Sequence, residues 1–302
     1  STGNINQQYL RYYEAMIEPN TKLLRKLKIT QEQVDEAKDC DIINSCLILK
    51  SEKYEEGQFQ GRNDFKYVYS DSLQVMSYRT FNQCQALKIV ILPNLSEMGE
   101  DNDDPFSLDE NFCSCHQISK LYAPKLIRVP TGCFEDCQAL QTIFLYSALK
   151  ICNSAFKNCT QLRRAVFPNL IELGWYCFNC SALEEFDAPQ LKTAHSPPFY
   201  KCKALKYLNI PEGVCLQCCK NCKTCFICKG DVKKTLERGK QLIKRPIVKF
   251  AGTMFNSLVG LNLNVERLNR TQNMRKQSII QMAEKLQLVC NLLEQVENEG
   301  VE

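Results

Sequence analysis

The residues best suited to chemistry in this chain are thiols. Cys215, Cys218, Cys219, Cys222, Cys225 and Cys228 follow one another at three-residue steps with one adjacent doublet. Cys-x-x-Cys pairs suit zinc, because two thiolates at that spacing turn toward one tetrahedral ion. A zinc ribbon, however, separates two such pairs by a longer loop, and here the steps run on without one. The two histidines, His116 and His195, stand far apart, and neither lies in a nucleophile elbow or a metalloprotease helix. No glycine-rich phosphate loop occurs in the sequence. The acidic segment 99–111 holds Glu100, Asp101, Asp103, Asp104, Asp109 and Glu110. It lacks the Asp-x-Asp-x-Asp-Gly order of a calcium loop, and reads as a solvated insertion or a contact for a basic partner. Lys229, Lys233, Lys234, Arg238, Lys240, Lys244, Arg245 and Lys249 make a basic run with only Phe250 as an aromatic beside it. Such a run reads as a solvated face before it reads as an RNA or membrane contact. The expectation is therefore no enzyme, no cofactor and no metal, with zinc on the six cysteines as the alternative.

The elements that position these residues come from a repeat. Phe156, Cys159, Leu162, Phe167, Pro168, Leu170 and Leu173 form a skeleton that stands 22 residues earlier as Phe134, Cys137, Leu140, Leu145 and Ile151. Another 22 earlier come Phe112, Cys115, Ile118, Leu121, Pro124, Leu126 and Val129. Later copies begin at Phe178, with one residue missing between its Phe and Cys180, and at Phe199 with Cys202. An upstream copy holds Phe81, Cys84, Leu87, Val90 and Pro93. Extending the count takes in Phe59, with Arg62 in the cysteine slot, then Ala37 with Cys40, Ile43 and Cys46. Downstream, Cys219, Cys222, Cys225 and Cys228 fill the Phe, Cys and ladder slots of a last coil. That turns the tempting zinc cluster into core, since a free thiol packs as a small hydrophobe.

Each coil reads as a short strand whose middle residue faces inward, then a proline that ends the strand, then a return segment. No coil buries its apolar side alone, so neighbours must stack. The units resemble the Treponema-type leucine-rich repeats of BspA-like proteins. That resemblance implies a right-handed α/β solenoid, here of about nine 22-residue coils, and a protein-binding role, often at a cell surface.

The organisation expected is an N-terminal helical cap over 1–36, the solenoid over 37–240, and a helical tail over 241–302. In the cap, residues 5–28 read as an amphipathic helix, and Thr30 opens a second one through a Thr30-x-x-Gln33 capping box. In the tail, Leu258, Leu261, Val265, Leu268, Ile279, Met282, Leu286, Val289, Leu293 and Val296 share one heptad frame. This reads as a coiled coil that supports homo- or hetero-oligomers through 254–296.

Nineteen cysteines is an odd count in a chain too long for a disulfide scaffold, and no stretch reaches the ~18 apolar residues of a membrane span. Residues 1–9 are polar and unlike a signal peptide, so a cytoplasmic setting is expected, with the cell surface as the alternative. The outward strand position seven beyond each cysteine slot gives Leu47, Tyr69, Ile91, Tyr122, Phe144 and Val166. An apolar row on the strand-lined face is the expected partner site. The chain is thus expected to be a non-catalytic scaffold for a protein partner, as a component of a larger or cytoskeletal assembly, and not a binder of nucleic acid or membrane.

Overall fold

The computed structural model describes residues 20–99, 109–195, 197–214 and 216. They belong to the first of two compact units, Ser1–Pro246, while the second, Ile247–Glu302, lies wholly outside the described residues. The cap residues before 20, the cysteine cluster from Cys215 to Cys228, the basic run and the heptad tail fall outside them too.

The described residues open with helices α1 (Asn20–Leu27) and α2 (Gln31–Glu36). Thr30 caps α2 as its spacing predicts: its hydroxyl accepts from Gln33 N at 3.2 Å, and Thr30 N donates to Gln33 Oε1 at 3.0 Å. An antiparallel hairpin of β1 (Ile42–Ile43) and β2 (Cys46–Ile48) follows. Asn44 and Ser45 make its turn at φ 50° and 63°, the left-handed pair that a tight hairpin needs. The segment from Ala37 is thus a helix C-cap and a hairpin, not the 22-residue coil its periodicity predicts. The hairpin supplies a partner to the first parallel strand, which would otherwise be an open edge.

Seven coils then carry two strands each. Three-residue strands make one face: β2, β4 (Tyr67–Tyr69), β6 (Ile89–Ile91), β8 (Lys120–Tyr122), β10 (Thr142–Phe144), β12 (Arg164–Val166), β14 (Glu185–Asp187) and, beginning an eighth coil, β16 (Tyr207–Asn209). Two-residue strands make a second: β3 (Lys53–Tyr54), β5 (Val75–Met76), β7 (Glu97–Met98), β9 (Arg128–Val129), β11 (Lys150–Ile151), β13 (Glu172–Leu173) and β15 (Thr193–Ala194). Apart from β1, all ladders are parallel, with Ile143 facing Ala165, Ala165 facing Phe186, and Phe186 facing Leu208. The described residues hold seven coils and the start of an eighth; the last of the expected nine, at Cys219, lies outside them. One point corrects the expectation: the described coils contain no helix, so the repeat is a β-solenoid rather than an α/β one. The return segments close with N–H to C=O bonds three residues apart, such as Cys137 N to Phe134 O at 3.2 Å.

Two side-chain ladders fill the core. Phe59, Phe81, Phe112, Phe134, Phe156, Phe178 and Phe199 stack ring on ring, with centroids 5.2–5.7 Å apart. Beside them, each cysteine donates its thiol to the phenylalanine carbonyl of the preceding coil. Cys84 reaches Phe59 O at 3.0 Å, and Cys115, Cys137 and Cys159 reach Phe81 O, Phe112 O and Phe134 O at 3.1 Å. The slot requires a small group that is apolar yet donates once, which a thiol satisfies.

Two substitutions in that slot are instructive. In the first coil Arg62 replaces the cysteine, and its guanidinium lies 5.6 and 5.4 Å from the Phe59 and Phe65 ring centroids while pairing with Asp64 at 2.6 Å. In the Phe178 coil the buried slot holds Ser181, not Cys180. Ser181 N donates to Phe178 O at 3.1 Å, and Cys180 stands at the left-handed corner, φ 59°, where other coils place Asp136 or Asn158. The missing residue therefore falls after the slot, not before it.

The insertion is absorbed at one corner. Although 31 positions separate Phe81 from Phe112, their rings stack at 5.5 Å and 2°. The second sheet stops there, with β3-β5-β7 on one side and β9 to β15 on the other. Asp109 and Glu110 are not solvated loop residues as expected. Asp109 is fully buried with its carboxylate 3.5 Å from Arg128, and Glu110 meets Arg79 at 3.4 Å.

Candidate functional site

The three-residue strands turn their middle residues into the core and their flanking residues outward, giving two rows on one face. One row runs Cys46, Tyr67, Ile89, Lys120, Thr142, Arg164, Glu185, Tyr207. The other runs Ile48, Tyr69, Ile91, Tyr122, Phe144, Val166, Asp187, Asn209.

Each residue of the expected apolar row has a definite place in this geometry. Leu47 does not belong to it: it pairs in register with Val68 and lies in the core, and Ile48 takes the outward place. The first interval is 21 residues rather than 22, and one residue of slip moves a strand's side chain to the opposite face. Tyr69 and Ile91 do point outward but are buried, at 0% and 1% exposure, because Leu23, Leu24, Leu27 and Ile29 of α1 and its exit, with Val34 of α2, pack into one cluster with them and Ile48. The described helices therefore lie on the strand face. Tyr122 is half-buried and packs at the margin of that cluster, Phe144 is half-buried, and Val166 is buried at 4%.

Beyond β10 the face becomes ionic. Arg164 Nε lies 3.2 Å from Glu185 across neighbouring strands. Just outside the strands, Glu184 receives Lys206 Nζ at 2.9 Å and Arg163 at 3.4 Å. Lys206 first, and Arg163 with it, lowers the Glu184 carboxyl below its ordinary value. Pairs this exposed contribute little to stability, and they set register and partner choice more.

The thiols are chemically quiet. All twelve cysteines among the described residues are free. Burial holds Cys115, Cys133, Cys137 and Cys177 well above the ordinary thiol value, and raises Cys46 and Cys84 to about 12. A thiol is nucleophilic or metal-binding as the thiolate, so these are packing groups. No three His, Cys, Asp or Glu side chains gather as a metal site among the described residues. His116 and His195 lie on different coils, the first with Nδ1 3.0 Å from Asp136 O, the second with Nε2 3.3 Å from Glu172.

Residues 108–225 match the BspA type leucine rich repeat region in six copies. The coils over those residues are of that repeat type. Among solved structures, a leucine rich cell surface protein from Faecalibacterium prausnitzii is similar at 17% identity and TM-score 0.40, covering 48% of this chain and 39% of its own. A leucine-rich repeat protein from Bacteroides ovatus is similar at 17% identity and TM-score 0.37, covering 54% of each chain. The chain thus spans less than two thirds of either structure. No curated protein matches it.

One group of BspA-type coil residues escapes a periodic reading. Trp175 and Tyr176 are each 43% exposed at a coil corner. They sit where the preceding coils carry Asn153 and Ser154, or Thr131 and Gly132. Comparing slots across coils, instead of searching for apolar periodicity, would have flagged the pair.

Proposed function

We propose that this protein is a non-catalytic interaction scaffold whose partner docks on the strand-lined face around Tyr122, Phe144 and Val166. One observation carries the reading. The same row, three coils earlier, already holds amphipathic segments of this chain: Ile48, Tyr69 and Ile91 take up the apolar side chains of α1 and α2. The row continues in register from Ile91 to Tyr122, and from Phe144 to Val166, and aromatic side chains on a rigid frame are the usual anchors of an interface. The heptad pattern of 254–296 supports association through the tail, and the free buried thiols support a reducing compartment.

Capture of partners from the source cell by the full chain tests the face. The double variant Tyr122→Ser, Phe144→Ser should lose at least tenfold in captured partner with an unchanged circular-dichroism spectrum. Undiminished capture by the folded variant removes the face as the site. Light scattering and free-thiol titration of the same preparation check the rest: a monomer would remove tail association, and disulfides would move the scaffold to the cell surface.

A further inference from the structure

Away from the strand-lined face, the last described coils carry a second surface of a different chemistry. Trp175 and His195 meet edge to face at 5.4 Å, and Tyr176 and Tyr200 do so at 6.0 Å. Lys201 lies over the Tyr200 ring, its Nζ 5.2 Å from the centroid. Trp175, Tyr176 and His195 are exposed and Tyr200 is half-buried, so four rings stand at the surface of two consecutive coils. Tyr176 holds φ 55°, a left-handed conformation that is costly for a bulky residue, where the two preceding coils use Ser154 and Gly132. Backbone strain that presents an aromatic ring to solvent is a reason to look for a ligand.

The charge of the segment that carries His195 and Tyr200 narrows the ligand. Residues 188–211 contain Lys192, Lys201, Lys203 and Lys206 and no Asp or Glu. Lys206 is committed to Glu184, but Lys192, Lys201 and Lys203 are exposed. Glu172, the carboxylate that faces His195, is itself held by Lys150 at 3.5 Å. Exposed rings interleaved with cations are what a single-stranded polynucleotide requires: bases stack on the π faces and the phosphates follow the ammonium groups. A neutral sugar would use the rings and not the lysines, and an acidic peptide the lysines and not the rings.

We propose that the Trp175–Tyr176–Tyr200 corner, with Lys192, Lys201 and Lys203, is a binding site for single-stranded nucleic acid. This site is separate from the strand-lined face and stands whether or not a protein docks there. It also relocates the nucleic-acid question, which the sequence alone ties to the basic run of 229–249.

The chain has a single tryptophan, so its intrinsic fluorescence reports this corner directly. Titrating the full chain with a twenty-nucleotide oligouridylate should quench Trp175. With a labelled oligomer read by anisotropy, Trp175→Ala should weaken binding about tenfold, and Trp175→Phe should restore most of it, as loss and return of one stacked base predict. Exchanging Lys192, Lys201 and Lys203 for Gln should reduce the slope of log affinity against log salt by about two. The proposal is overturned if the oligomer leaves the fluorescence unchanged, or if the folded Trp175→Ala and triple-Gln variants bind as the parent does, which would place any binding on the basic run. Heparin or a neutral glucan quenching Trp175 at lower concentration than the oligomer overturns it as well, in favour of a glycan site.

Discussion

The first and last thirds of the strand-lined face stand on the same core and carry opposite surfaces. Under β2, β4 and β6 the core is Phe59 and Phe81 with Cys84, and under β12, β14 and β16 it is Phe156, Phe178 and Phe199 with Cys159, Ser181 and Cys202. Outward, the first region shows Cys46, Ile48, Tyr67, Tyr69, Ile89 and Ile91, and the chain's own helices pack on it. The last shows Arg164, Val166, Glu185, Asp187, Tyr207 and Asn209, tied by cross-strand ion pairs and the Asn209–Asp187 hydrogen bond of 2.7 Å. The repeat thus dictates what lies inside each coil and leaves two positions per strand free, and those positions decide what the coil carries.

The comparison is tested hardest by alkali, which attacks what the two regions share. Cys115, Cys133, Cys137 and Cys177 keep their protons in the folded coils far above the ordinary thiol value of 9.0, because burial penalises the thiolate. The unfolded chain releases them near that value, so their contribution is complete below pH 9 and falls as pH rises beyond it. Each lowers stability as pH rises past that value, and four acting together should make the fall steep. Urea unfolding between pH 7 and 11 checks this, and a flat stability to pH 10.5 would contradict it. These four thiols lie beyond β7, while the helix-covered region holds Cys46 and Cys84, so protection should fail first in the later coils.

A smaller effect separates the regions. Leu24 is 1% exposed between α1 and the face. Leu24→Asp places a charge in that contact and should cost about 2–4 kcal/mol, the range of a lost buried leucine. Hydrogen exchange should show amides of β2, β4 and β6 losing protection while those of β12 and β14 keep theirs. Equal loss in both would mean the array opens as one unit, and the two regions would not be separable.

The reason the core was legible in the sequence, and the surface less so, lies in the same division. The phenylalanine and cysteine slots recur because each must touch its copy above and below, so the spacing of Phe112, Phe134 and Phe156 is a structural constraint written directly into the chain. Thr30 and Gln33 were legible because capping is local. Leu47 misled because a 21-residue first interval shifts the face, and nothing in the residue types marks it. The burial of Tyr69 and Ile91 depends on helices folding back from outside the repeat, a long-range contact with no period. Asp109 looked like loop because its partner, Arg128, belongs to the next coil's second strand, which the single-strand reading of each coil did not contain.

The smallest effect asks whether the cysteine slot is equivalent in both regions. Cys84 and Cys159 make the same bond, to Phe59 O at 3.0 Å and Phe134 O at 3.1 Å, one beneath the helix-covered face and one beneath the ionic face. Serine keeps the donor and gives up the soft, apolar sulfur. The chain already contains the result at Ser181, which is 5% exposed and meets Cys202 Sγ at 3.3 Å in the next coil. Cys84→Ser and Cys159→Ser should therefore each cost only about 1 kcal/mol, and the two values should agree within a few tenths. Ser181→Cys should recover a similar amount. A loss several times larger at Cys84 than at Cys159, read from urea midpoints at constant slope, would show that the helices on the outer face load the core beneath them. The two regions would then differ inside as well as out.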